Sequence, residues 1–179
     1  ITSKGIEKTI TQIIFPFLER IGILWVTSRI NPAQEHLVTN IIRQKLIVGI
    51  EKTLPALQAN STALLFLPEG EHHELGILFM YYLLKARGVK VLYLGANVPI
   101  KDVLYVADLK APTFVYTHLT SVASNFNFEK FLTKVGATLP KYSVVVSGLL
   151  TQTYKKGVPS NVNLKRSLPE VMDYLGKIA

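Results

Sequence analysis

Apolar residues follow two textures along the chain, and the change falls near residue 58. From Ile1 to about Gln58 the spacing is helical: Ile6, Ile10, Ile13, Ile14 and Phe17 recur every three or four positions. Pro16 lacks an amide hydrogen, so it should kink this segment or start a second helix through Leu18 and Ile21 to Trp25. Asn31-Pro32-Ala33-Gln34 predicts another helix start, with Asn31 as N-cap, Pro32 at the first helical position and Gln34 reaching back to the cap. Leu37, Ile41, Ile42, Leu46 and Ile50 carry that helix to an end before Pro55. Glu35 and His36 therefore belong to its N-terminal turn.

Beyond the linker Ala59–Thr62 the pattern alternates strand and helix. Ala63–Leu67 is a short continuous apolar run, as expected of a strand buried on both faces of a parallel sheet. Further strands are predicted at Val89–Leu94, Thr113–Thr117, Ser143–Val146 and, more weakly, Val162–Leu164. Helices are predicted at His73–Arg87, Ile100–Asp108, Phe126–Val135 and Pro169–Lys177; Gly88 stops the first, with Lys85 and Arg87 in its last turn. The expected class is α/β: an N-terminal helical bundle over residues 1–58, then a doubly wound, flavodoxin- or Rossmann-like, five-stranded parallel sheet over 59–179. Ligands bind such sheets beyond the carboxyl ends of the strands, so the loops beginning near Pro68, Thr117 and Ser147 should share the binding face.

Composition narrows the function classes. A chain of 179 residues has room for one large or two small units with a real core. The richest apolar stretch, Gly76–Leu84, stops at Lys85 and is far too short to span a membrane. No leader for secretion opens the chain, and the start at Ile1 suggests a piece of a longer protein. The absence of cysteine excludes disulfides and thiolate metal sites and suits the cytoplasm. The net charge of +8 is spread from Lys4 to Lys177, with no basic stripe interleaved with aromatics, so a solvated basic surface explains it better than a nucleic-acid site.

His73 is the sharpest candidate for chemistry. It stands between a strand and a helix, with Glu71 two positions before it and Gly76 three after. A neutral imidazole is a good transition-metal ligand, and a carboxylate on its far nitrogen fixes the tautomer and raises its basicity. Gly76, having no side chain, leaves room for a bulky ring system at the helix start. The plain alternative is a helix-capping segment, Glu71-His72-His73-Glu74, whose acids suit the helix dipole. Trp25 alone reads as a core aromatic, and Glu35-His36 alone as an ordinary helix-start pair. A zinc site is not supported, since adjacent histidines point apart and no His-Glu-x-x-His occurs. Dinucleotide and phosphate-loop fingerprints are missing, and Ser147-Gly148 lacks a nucleophile elbow.

Jointly, these residues resemble the cobalamin-binding region of MerR-type transcriptional regulators, the light-sensing CarH/LitR group, over nearly the whole chain. Trp25, nine intervening residues and Glu35-His36 match the W-x9-E-H signature of that group's helical cap. Glu71-x-His73-x-x-Gly76 matches the D-x-H-x-x-G motif of base-off, His-on cobalamin proteins, with Glu for Asp. Leu94–Pro99 is similar to the segment after the second strand in these modules.

The resemblance implies a sensory, non-enzymatic module for adenosylcobalamin, with methylcobalamin less favoured. His73 would ligate cobalt from below, while Trp25, Glu35 and His36 would cover the upper, adenosyl face. The tail-lining S-x-L site corresponds to Thr117-His118-Leu119, where His118 either lines the cavity or is a satisfied core residue. The later Gly-Gly site corresponds to Ser147-Gly148, with Ser147 adding bulk. Partners implied are a second copy of the chain, as homodimer or homotetramer, and DNA through a separate domain; no membrane is involved. In such a switch light cleaves the cobalt–carbon bond and the assembly relaxes. Some light-sensing members carry His directly after the Trp; here that position is Val26. Other functions compatible with the same residues are a corrinoid carrier serving methyltransferases and a degenerate module that no longer binds cobalamin.

Overall fold

Asn31 closes the expected capping box: its Oδ1 accepts from Gln34 N at 2.9 Å, and its N–H donates to Gln34 Oε1 at 3.0 Å. With Pro32 first in the helix, this starts the long α3 (Pro32–Lys52). The computed structural model describes residues 5–26, 31–55, 57–120 and 126–178. The chain divides into two compact units, Ile1–Thr53 and Leu54–Ala179.

In the first unit α1 (Ile6–Thr9) runs into a π-helical turn, Ile10–Ile14, and then α2 (Phe15–Val26). Pro16 is the second residue of α2, so the kink expected there takes the form of a wider turn just before it. That is where a helix absorbs a ring that cannot donate to the preceding turn. Gly49 on α3 lets Ile6 approach closely, since a Cβ there would lie 2.8 Å from the Ile6 Cδ1.

The second unit is a five-stranded, all-parallel sheet in the order β2-β1-β3-β4-β5. Its strands are β1 (Thr62–Phe66), β2 (Lys90–Tyr93), β3 (Phe114–His118), β4 (Ser143–Ser147) and β5 (Val162–Lys165). The helices are α4 (Glu74–Ala86), α5 (Ile100–Lys110), α6 (Phe128–Thr138), the short α7 (Leu149–Gln152) and α8 (Leu168–Ile178). This is the flavodoxin order, with the switch point between β1 and β3. Ala63 through Leu67 are fully buried, as the continuous apolar run required. On one sheet face Leu64, Phe66, Val115 and Val146 pack with Val103 of α5 and Val135 of α6. On the other, the Phe114 ring meets Tyr174 of α8 edge-on at 5.6 Å, and Gly76 of α4 lies against His118. Each such apolar burial contributes about 1.5–3 kcal/mol.

The strands agree with the sequence reading to within about two residues. Two helical details differ. The third helix of the sheet unit begins at Phe128, not Phe126, because the Asn127 side chain accepts from Lys130 N and caps it. A four-residue helix, α7, follows Gly148, which takes φ 101°. Among the described residues no helix is long and apolar enough to cross a membrane.

Candidate functional site

The loop after β1 carries the site's best-defined geometry. Glu71 is completely buried, and its Oε1 accepts from His73 N at 2.9 Å and faces His73 Nδ1 at 2.6 Å. Its Oε2 accepts from Thr120 N at 2.8 Å, just beyond β3. One carboxylate thus joins the loops after β1 and β3, the two strands at the switch point. Burial alone would push this carboxyl up, but hydrogen bonds from the His73 ring, His73 N and Thr120 N, with the His73 charge, hold it below its usual range. When the ring is neutral, the ionised carboxylate favours the His73 proton on Nδ1, which leaves the lone pair on Nε2. The His73 side chain is 56% exposed.

Helix capping accounts for part of the segment, since Glu74 lies in the first turn of α4, where its charge suits the helix dipole. His73 stands at the N-cap of α4 without a side-chain cap bond. Glu71 is engaged as above, and Glu74 accepts from Tyr93 OH at 2.6 Å. The loop is also tied to the segment after β2. Leu67 N donates to Gly95 O at 2.9 Å, Asn97 N to Glu71 O at 3.2 Å, and Gly70 N to Asn97 Oδ1 at 3.0 Å. Asn97 takes the left-handed conformation, φ 57°, which Asn tolerates better than most residues. The likeness of Leu94–Pro99 to a family segment gave no role to Asn97; its role here is to brace the loop that presents His73.

Three expected site residues gather on the α4 face. A Cβ at Gly76 would collide with the His118 imidazole, so the ring rests directly on the first turns of α4. His118 Nδ1 lies 2.8 Å from Ser147 Oγ, and the same hydroxyl is bonded to Tyr116 OH. Burial lowers the His118 pKa to about 4, against a smaller opposing pull from Glu71, so the ring is neutral at physiological pH. His118 is thus a satisfied, partly buried histidine, and the Ser147 hydroxyl has two partners. Gly148 is pressed against the Leu119 backbone, where any Cβ would clash.

Thr117 and Leu119 fall elsewhere. Alternation along the strand puts Thr117 on the face of Val115, opposite Tyr116 and His118, and Leu119 joins the α5/α6 core. Thr117 Oγ1 is buried with no hydrogen-bond partner among the described residues. In the first unit Glu35 Oε2 lies 3.1 Å from the largely exposed His36 Nδ1. Trp25 is in α2, but its side chain and that of Val26 lie outside the described ones.

A carboxylate bonded to an imidazole in this way orients the ring and raises its basicity as a ligand. Among the described residues no three His, Cys, Asp or Glu gather to cage a bare ion. The switch point of the α/β unit thus presents one half-exposed imidazole backed by a buried carboxylate.

The chain is similar to the HTH-type transcriptional repressor CarH of Myxococcus xanthus: it is 31% identical to it over 134 residues, covering 75% of this chain and 44% of that protein. It is 29% identical over 157 residues to the repressor CarA of the same organism, covering 88% of this chain and 52% of the relative. The chain thus spans about half the length of these relatives. The fold is shared with the monomethylamine corrinoid protein of Methanosarcina barkeri, at TM-score 0.66 and 13% identity, covering 95% of this chain and 82% of that one. It is also shared with a cobalamin-binding protein of Desulfitobacterium hafniense, at TM-score 0.52 and 14% identity, covering 90% and 78%. No family model matches the chain.

Proposed function

We propose that the chain is a cobalamin-binding effector module of a CarH-like transcriptional repressor, and that His73 is the axial ligand to cobalt. The observation that carries this reading is the buried Glu71 carboxylate that orients the half-exposed His73 ring. By resemblance Gly76, Ser147 and Gly148 are proposed to flank the cofactor's nucleotide tail; Thr117 and Leu119, the remaining motif matches, lie on the other side of the sheet and are not proposed to line that slot. The W-x9-E-H resemblance assigns Trp25, Glu35 and His36 to the upper face and favours adenosylcobalamin over methylcobalamin. Bound adenosylcobalamin supplies a cobalt–carbon bond that light can break.

The chain's own task is to hold the ring, fix the His73 tautomer and couple occupancy to assembly. A ligand shifts an assembly equilibrium only by its differential affinity for the two states. The proposed partners are another copy of this chain and, in the cytoplasm, operator DNA through a separate domain. Val26, where some light-sensing members have His, argues against a product locked by two histidines.

The test is incubation with adenosylcobalamin in darkness, with absorbance and size-exclusion profiles before and after green light. The proposal expects a bound, base-off, histidine-ligated spectrum and a change of size on illumination. No bound pigment would remove the cobalamin reading. Binding without a size change would remove the photoswitch and favour a carrier.

A further inference from the structure

The space over Gly76 is already filled. Gly76 lies three residues beyond His73, one helical turn along α4, and the His118 imidazole occupies the volume that any side chain at 76 would need. The ring is held there by Ser147 Oγ, itself bonded to Tyr116 OH, so a chain of three polar groups fixes the filler. Packing alone would be served by an apolar residue. A buried Tyr–Ser–His relay keeps the slot polar and gives its filler one defined orientation.

We infer that His118 is a specificity-determining plug that disfavours corrinoids carrying a bulky lower nucleotide. The inference rests on the cobalamin reading above. When an imidazole from the protein takes the lower position on cobalt, the nucleotide tethered to that same corrin face must enter the protein beside the ligand. The side-chain-free stretch beside His73 on α4 is Gly76, and benzimidazole is larger than the imidazole resting on it. The two rings cannot share the slot, so His118 must break its bond to Ser147 and swing away. A corrinoid without the nucleotide makes no such demand. Loss of one buried hydrogen bond corresponds to about a tenfold change in affinity.

The test compares aquocobalamin with diaquocobinamide, which lacks the nucleotide, on the full 179-residue chain by absorbance titration. The quantity read is the ratio of the cobinamide Kd to the cobalamin Kd. From the wild-type chain to H118G this ratio should rise about tenfold, through tighter cobalamin binding, with cobinamide affinity nearly constant. S147A, which removes the hydroxyl holding the plug, should raise the ratio by about threefold and decides the matter if H118G does not fold. Cobinamide binding by each variant reports an intact site. A ratio unchanged in the folded variants overturns the plug, as does a wild-type chain that already binds cobalamin more than about tenfold tighter than cobinamide. If no corrinoid binds the wild type or either variant, the cobalamin reading itself falls, and the plug with it.

Discussion

His73 Nδ1 lies 2.6 Å from the fully buried Oε1 of Glu71, and this pair sets both the orientation and the tautomer of the proposed ligand. Replacing Glu71 by Ala frees the His73 ring and leaves Thr120 N without its acceptor. The expected cost is about 10–100-fold in corrinoid affinity and about 1–3 kcal/mol in stability. Titration by absorbance and urea unfolding measure the two separately. An unchanged affinity would show that Glu71 does not act through His73.

Gly76 and His118 should be energetically coupled. G76A places a methyl group inside the His118 ring volume and should destabilise the fold by about 1–3 kcal/mol. In an H118A background the same change should cost much less, giving a coupling of at least about 1 kcal/mol in a double-mutant cycle read by urea unfolding. Additive effects would mean that the two residues do not compete for one space.

Stability should fall with acid in two windows. The folded pKa of His118, about 4, lies below the ordinary value of 6.5, so the unfolded chain binds the extra proton between them. Stability from keeping this ring neutral is complete above pH 6.5 and is lost as the pH falls toward 4. Glu71, also lowered, contributes stability above its ordinary pKa of 4.5 that is lost only at more acid pH. H118A should flatten the upper window and leave the lower one. Thermal melting from pH 7 down to about pH 2 checks both windows.

Asn97→Gly keeps the left-handed backbone but removes the acceptor for Gly70 N, whereas Asn97→Ala loses both. Glycine should cost about 1 kcal/mol and alanine roughly twice that. Faster amide exchange at Gly70 in both variants would identify the loss as local.

The centre of the sheet was legible because β1, β3 and β4 are buried on both faces and therefore read as short continuous apolar runs, such as Ala63–Leu67. The start of α3 was legible because Asn31, Pro32 and Gln34 act within four residues of one another. The Glu71–His73 bond was legible for the same reason of nearness. Contacts between distant parts of the chain were not. Thr120 N meets Glu71 across 49 residues, and Ser147 meets His118 across 29, so only the sheet register brings them together. Thr117 shows the other limit. Its match to a tail-lining position was visible, but strand alternation puts its hydroxyl on the face opposite His118.

The most direct measurement of the central claim is electron paramagnetic resonance of cob(II)alamin bound to uniformly 15N-labelled chain. Ligation by His73 predicts that the nitrogen superhyperfine pattern on the cobalt lines changes from triplets in unlabelled protein to doublets in labelled protein, and that His73→Ala abolishes the doublets. Triplets that persist in the labelled protein would show that the cofactor's own base remains on cobalt and would contradict the account.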